Sequence, residues 1–309
     1  MVGSLFISNK EEVMKSILPS TLLLLSVLMM SSVSRAQDAT PIPDGPYFGQ
    51  TPPGSTPKVF APGIVSKKGW DYGGVFTPDM KEFYFARMNE ETKKREFIVF
   101  EYKNNQWHES VLSPRQGQPF ISTDGKIMHL GNRYKERTKT GWSDIKSLGA
   151  PFEDILIMRL TASSKGTYVF DEIVSDGNGG YEDAPILSSR LTNGKREEPK
   201  PFGKEINTGK WNSHPFIAPD ESYILWDSQR DGGYGDADIY ISFRGQDGSW
   251  GEAINLGDKI NTGGWDAAAS VTPDGKYILF HRDVDTEGEK NVDIYWVGAK
   301  IIEDLRFKK

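Results

Sequence analysis

The chain has 309 residues, 37 Lys and Arg against 43 Asp and Glu, a formal net charge of −6 and no cysteine. An acidic balance argues against a nucleic-acid partner, which needs a basic footprint, and the missing cysteines exclude disulfides, a lipidated cysteine and thiol chemistry. With 32 Gly and 18 Pro and no long stretch of 3.6-residue periodicity, the composition points to an all-β chain rich in tight turns.

Residues 1–36 read as a signal peptide. Lys15 precedes an apolar run over 17–30, and Ser34-Arg35-Ala36 offers small residues for cleavage before Gln37. Met14 is an alternative translational start. The apolar run is shorter than the ~20 residues of a membrane span. The expectation is therefore a periplasmic or secreted protein whose mature chain makes no stable membrane insertion, with a membrane anchor as the alternative. Residues 37–56 carry Pro41, Pro43, Pro46, Pro52 and Pro53 and read as a Pro/Gly-rich lead-in, either a linker or strandless. Residues 57–309 read as one repeat domain.

The repeat is marked by a turn. Thr77-Pro78-Asp79 is followed by the apolar stretch 83–85, Thr123-Asp124-Gly125 by 127–130, and Ala218-Pro219-Asp220 by 223–226. The fullest copy is Thr272-Pro273-Asp274-Gly275, and a decayed one is Ser163-Ser164-Lys165-Gly166. Pro presets φ, Asp bonds back to its own backbone and Gly takes a positive φ, so each copy reads as the turn of a β-hairpin. The anchors at 79, 124, 164, 220 and 274 lie 40–56 residues apart, the length of a propeller blade.

The unit over 212–262 shows four strands, over 214–218, 223–227, 239–243 and 250–256, which is one antiparallel blade. The second unit lacks a clear third strand over 132–140, and the third unit is irregular. A six-bladed ring, with a cryptic unit in 130–160 or 170–210, is therefore the alternative to five blades. The last unit supplies three strands and stops. Lys58-Val59-Phe60-Ala61-Pro62-Gly63 resembles Glu252-Ala253-Ile254-Asn255-Leu256-Gly257, so the N-terminal segment is expected to add the missing strand. Closure of this kind removes exposed strand edges.

These residues resemble the TolB-type, WD40-like β-propeller repeat family of bacterial envelope and exported proteins. The resemblance rests on Pro-Asp-Gly-Lys-Tyr at 273–277, Ala-Pro-Asp-Glu-Ser-Tyr at 218–223 and Asp-Ile-Tyr-Ile-Ser-Phe-Arg at 238–244. Asn-Leu-Gly at 255–257, Ile-Asn-Thr at 260–262 and Asp-Ile-Tyr-Trp-Val at 293–297 extend it. It covers roughly residues 57–305 and implies the fold. It implies little about function, because propellers host binding, scaffolding and catalysis alike. TolB proper has a separate N-terminal domain to which nothing here corresponds, so its role in the Tol system does not carry over.

Nine residues before the turn Asp stand Trp70, Trp211 and Trp265, each followed by an acceptor: Asp71, Asn212 and Asp266. The second and third units break this pattern with Arg115-Gln116 and Ile155-Leu156. All three Trp precede inner strands and are expected on one face, either as packing wedges between blades or as a rim of aromatic platforms. An indole beside a carboxylate or amide suits a sugar, since the ring covers C–H faces and the oxygens take hydroxyls. With His214, these six residues form the candidate ligand site. His108, His129 and His281 fall in different units without metal-ligand spacing. Asp227, Asp231, Asp236 and Asp238 surround a Gly-rich loop that lacks the regular calcium spacing, so calcium is only a minor candidate and no other cofactor is expected. Arg87, Arg133, Arg230 and Arg282 recur after second strands as a feature of the repeat. Catalysis has thin support: no nucleophile elbow is present, and Asp71, Asp154 and Asp266 are the weak candidates for a glycosidase-like carboxylate set.

The expected function is non-catalytic recognition of a carbohydrate or an envelope protein on one face of the disc. The alternatives are a carbohydrate-active hydrolase or lyase and an assembly scaffold without a small ligand. N-terminal sequencing of the exported protein is expected to begin at Gln37; recovery of the intact 17–30 segment in washed membranes would replace export with anchoring.

Overall fold

The turns form as their chemistry requires. In the computed structural model, which describes residues 42–307 apart from 90 and 287–288, Asp79 Oδ1 accepts from Thr77 Oγ1 at 2.7 Å and from Lys81 N–H at 3.2 Å. Asp124 does the same with Ser122 and Lys126, and Asp274 with Thr272 and Lys276. The residue after the Asp takes a positive φ. Gly125 and Gly275 do so freely, but Met80 (59°) and Glu221 (66°) stand in the same place. Glu221 is held there from outside: its carboxylate accepts from Ser163 Oγ at 2.8 Å and Arg244 Nη1 at 2.6 Å, bonds that offset the strain of a left-handed backbone. The expected signal segment lies outside the described residues.

Each turn joins the inner strand of a blade to the second. The first blade comprises Asp71–Phe76, Glu82–Met88, Arg95–Lys103 and Gln106–Pro114. The second comprises Pro119–Ile121, Ile127–Leu130, Arg133–Thr138 and Lys146–Ser147. The third comprises Ile157–Ala162, Tyr168–Glu172, Ile186–Ser189 and Lys200–Pro201. The fourth comprises Lys210–Ile217, Tyr223–Gln229, Asp238–Phe243 and Ile254–Asn255. The fifth has Asp266–Val271, Tyr277–Thr286 and Glu289–Gly298 from the C-terminal end, and its outer strand is Lys58–Val59. Lys58 lies opposite Trp296, Val59 opposite Tyr295, and Phe60 N–H donates to Ile294 O at 2.7 Å.

The molecule is thus a five-bladed β-propeller closed by its N-terminal strand. The stretches suspected of hiding a sixth blade are occupied otherwise. Arg133–Thr138 is the third strand of blade two; its residues are half-exposed or exposed, so it shows none of the apolar alternation that reveals a strand. In blade three the irregularity is two added hairpins, Val174–Ser175 with Tyr181–Glu182 and Leu191–Thr192 with Lys195–Arg196.

From residue 42 the lead-in packs within the compact unit Ile42–Lys309. Pro46–Gly49 forms a 3-10 turn that buries Tyr47 and Phe48. Phe48 stacks on Trp107 at 4.4 Å, and Tyr47 Oη donates to Asp274 Oδ2 at 2.6 Å. A short helix, Lys300–Arg306, follows the last blade and buries Ile302 and Leu305; its seven residues were too few to show a period in the sequence. The clasp between first and last blades is therefore aromatic: Phe60 is fully buried among Phe76, Phe83 and Trp296. Phe60→Ala is expected to cost about 3–5 kcal/mol, the range for a large buried aromatic. Deleting 57–64 is expected to cost at least as much, read as a fall in melting temperature. A deletion variant melting with the parent would show that the ring holds without its closing strand.

Candidate functional site

Three of the five blades are entered by a loop ending in Trp, and the same side-chain clamps fasten all three loops. Asn261 accepts Ile239 N–H at 2.9 Å and donates to Ile239 O at 3.0 Å. Asn207 does the same to Ile186 at 2.8 and 3.0 Å, and Ser66 Oγ bridges Ile294 N–H and O at 3.2 and 3.1 Å. Arg87, Arg230 and Arg282 then donate to the carbonyls of Val65, Ile206 and Ile260 in those loops. Asp71 accepts from Lys67 N–H at 2.8 Å and Arg87 Nε at 2.7 Å; Asp266 accepts from Thr262 N–H at 2.7 Å and Arg282 Nε at 2.5 Å. With its amide oriented to satisfy both ends, Asn212 donates to Ser228 Oγ at 3.0 Å and to the Thr208 and Ile206 carbonyls at 3.2 Å. The acceptor that follows each Trp therefore ties down its own loop.

The Trp residues divide their work between main chain and ring. Trp70 bridges Val292 and Trp265 bridges Ala237, each on the preceding blade, and Trp211 N–H donates to Asp183 Oδ1 at 2.8 Å. The backbone thus joins neighbouring blades. None of the three indoles is buried; Trp211 is 47% exposed. All three line one cavity of about 680 Å³, to which the entries of all five inner strands contribute, with Gln118, Met158 and His214 among them. Asp71, Asp154 and Asp266 are not among its lining residues. Asp154 sits exposed in a turn.

Sequence reasoning missed much of the wall. Leu156 and Tyr181 are 58% and 66% exposed at this cavity; Tyr181 arrives on the added hairpin of blade three, outside any repeat position. Arg95 and Arg115 also line it. Arg115 stands where three other blades have Trp; the turn bond from Gly166 N–H to Ser163 O aligns Ser163 with Ala218 and Thr272, so Leu156, not Ile155, holds that position in blade three.

The floor is built by a repeated bulge. Gly73, His214 and Ala268 occupy one position of the inner strand with φ of 69°, 49° and 53°, and the strand pairing shifts register there. The backbone N–H groups so displaced find carboxylates: His214 N–H donates to Asp171 Oδ2, and Ala268 N–H to Asp227 Oδ1, both at 2.8 Å. Arg159 N–H takes the other Asp171 oxygen at 2.8 Å. His214 Nδ1–H faces both Asp227 oxygens at 3.0 Å. Burial pulls the His214 imidazole down, but Asp227 outweighs it and holds the ring above the ordinary histidine range. Burial pushes the Asp171 carboxyl up, against the His214 charge and the two N–H bonds. Arg159 is brought down by burial to about 10 and stays charged at neutral pH. His281 lies beneath Trp265, with ring centroids 4.5 Å apart, buried and with neither nitrogen bonded.

Of the acids around the Gly-rich loop, Asp227 and Asp238 are similarly engaged, and Asp231 and Asp236 are exposed. Asp238 Oδ2 accepts from Tyr234 N–H and Asn255 Nδ2, and Asp227 serves His214. Among the described residues, no group of three or more His, Asp or Glu is arranged to hold a metal ion.

The histidines set a pH dependence. Burial pushes His281 well below the ordinary value of 6.5, and His129 down to about 3. Both are neutral in the fold and take protons when unfolded, so their contribution is present above pH 6.5 and lost as pH falls below it. His214 has the opposite sign: its contribution is complete below 6.5 and lost as pH rises through its elevated folded value. Burial pushes the Asp71 carboxyl up to about 6, and such acids act in the opposite sense on acidification. His129→Leu is expected to lower proton uptake on unfolding below pH 6.5 by up to about one proton, read as the pH slope of the urea midpoint. An unchanged slope would place the acid sensitivity elsewhere.

No protein-family model matches the chain, and no curated protein matches it. Solved structures similar to it include TolB from Acinetobacter baumannii, at 15% identity and a TM-score of 0.43 over 74% of this chain and 57% of that one. Others are the catalytic domain of an α-L-arabinofuranosidase from Coprinopsis cinerea (8% identity, TM-score 0.46, 80% of this chain and 97% of that one) and an α-L-arabinofuranosidase from Lactobacillus brevis (12%, 0.45, 75% and 91%). This chain thus spans little more than half the length of that TolB chain, and likenesses at these identities say nothing of what it binds.

Proposed function

We propose that the chain is an exported, non-catalytic recognition protein that takes a carbohydrate in the cavity at the entry face of its inner strands. One observation carries this reading: Trp70, Trp211 and Trp265, from the same position of three blades, line one cavity with none of their rings buried. Trp70 packs partly on the core of blade one and Trp265 on His281, yet each indole keeps surface open to the cavity, and open aromatic surface around polar groups is what a sugar ring with its hydroxyls requires. The exposed side chains of Leu156 and Tyr181 extend the apolar rim, as a ligand-binding mouth would. Export rests on the signal-like segment 1–36, which would leave the mature protein in the periplasm or outside the cell.

The carboxylates singled out for hydrolysis are poorly suited to it. A glycosidase needs two facing carboxyl groups about 5–9.5 Å apart across the scissile bond. Asp71 and Asp266 are bonded to Arg87 and Arg282, and Asp154 lies away from the cavity. Of the cavity acids, Asp227 is bonded to His214.

Titration calorimetry with a panel of oligosaccharides tests the proposal. Trp211→Ala is expected to weaken binding by on the order of 1 kcal/mol, the worth of one aromatic stack, while stability stays within about 0.5 kcal/mol, as for other exposed positions. The triple Ala variant is expected to lose binding. A triple variant that binds sugar like the parent would overturn the site, and binding confined to protein partners would overturn the ligand class.

A further inference from the structure

The wall of the cavity is electrically divided. Its cations, Arg95, Arg115 and Arg133, come from blades one and two, and its acids, Glu172, Glu182, Asp183, Asp227 and Asp236, from blades three and four. Among the described residues, neither Arg95 nor Arg115 forms an ion pair with a carboxylate, whereas Arg87, Arg137, Arg244 and Arg282 each do. Arg95 and Arg115 are also fixed next to each other. Arg115 N–H donates to Arg95 O at 2.9 Å, and the two guanidinium groups lie 5.8 and 5.3 Å from the centre of the same Tyr72 ring. Arg115 Nε is spent on Gly117 O at 3.1 Å, and its Nη groups form no bond among the described residues. Burial and the neighbouring charge of Arg95 both push the Arg115 guanidinium down, with Tyr72 opposing. The corner therefore carries two positive charges that no carboxylate answers, one of them half-buried, which favours an anion there. The Tyr72 hydroxyl is buried beside them.

We propose that this corner receives the carboxylate of a sugar acid. The inference rests on the carbohydrate reading of the cavity and narrows it. The Arg95 guanidinium lies 5.7 Å from the Trp70 ring centre, so cation and aromatic platform adjoin. That arrangement fits a ligand whose anionic group is attached directly to a pyranose ring: the ring covers Trp70 and the carboxylate meets Arg95 and Arg115 in the paired geometry that guanidinium favours. The acids of blade three then face the remaining hydroxyls, which donate to them. Neutral sugars would leave the two guanidiniums unanswered.

The test compares three probes by titration calorimetry: an oligogalacturonate, its methyl ester and a sulfated galactan fragment. The oligogalacturonate is expected to bind about 10–100 times more tightly than the ester, the scale of a paired charge-assisted contact. Arg95→Gln, at an exposed position, and Arg115→Gln are each expected to remove most of that preference, read as the ratio of acid to ester affinity, with thermal melts confirming the fold. Trp211→Ala should weaken acid and ester alike. Equal binding of acid and ester overturns the carboxylate corner but leaves the carbohydrate site standing, as does an acid preference that survives both arginine changes. Stronger binding of the sulfated probe overturns the choice of carboxylate. Failure of every sugar to bind overturns the carbohydrate reading and this inference with it.

Discussion

The constraint on which the rest of the structure depends is the unpaired outer edge of three third strands. The outer strands of blades three, four and five are only two residues long, so they cannot answer every backbone group beside them. The carbonyls of Ile186, Ile239 and Ile294 accept from Phe202, Leu256 and Phe60 N–H, but their own N–H groups would be left buried and unanswered, and an unsatisfied buried polar group costs about 1–3 kcal/mol. Asn207, Asn261 and Ser66 answer both groups at each site with one side chain. A primary amide is suited to this because it carries donor and acceptor side by side, matching the edge of a strand.

The rest of each entry loop is anchored to its clamp. Once the Asn or Ser is docked, an arginine at the end of the second strand holds the carbonyl just before it; in blades one and five an acid at the head of the inner strand holds both the arginine and the loop, and in blade four Asn212 holds the loop alone. Asp71 and Asp266 are therefore buried and yet not free: each is half of an ion pair that is nearly dry, and removing one partner from such a pair is strongly destabilising. Trp70, Trp211 and Trp265 lie between clamp and inner strand. Their position is set by the loop's bonds and by their own backbones; the Trp211 ring is left to the cavity, while those of Trp70 and Trp265 pack partly on the core and on His281 and show their remaining surface to it.

The centre of the disc answers a second constraint. Five strands converging on one axis crowd the backbone there, and the bulge at Gly73, His214 and Ala268 turns it aside. The displaced N–H groups meet Asp171 and Asp227, whose charge is balanced in turn by Arg159 and His214. Where blade five has His281 in place of these aspartates, the group is neutral and buried. The floor is thus a polar network assembled from three blades, which no blade could satisfy alone.

Much of the fold was legible because its signals are local. A Pro-Asp turn is chosen by the dihedrals of two residues and the reach of one carboxylate, so five spaced copies announce five hairpins, and the resemblance of 58–63 to 252–257 announces the closing strand. Blade two's third strand was not legible, since both faces of Arg133–Thr138 are partly wet. The share of Tyr47 and Phe48 in the core was hidden too, because that packing joins residues far apart in the chain. For the site, the sequence determined that Trp70, Trp211 and Trp265 share one repeat position and therefore one face. Only the tertiary structure decided that their backbones tie the blades while their rings stay open, that Asp71 and Asp266 are spent on arginines, and that Arg95, Arg115 and Tyr181 reach the same cavity. The physical reason is that a repeat fixes what recurs within each blade, whereas partnership across blades depends on which side chains the closed ring brings face to face.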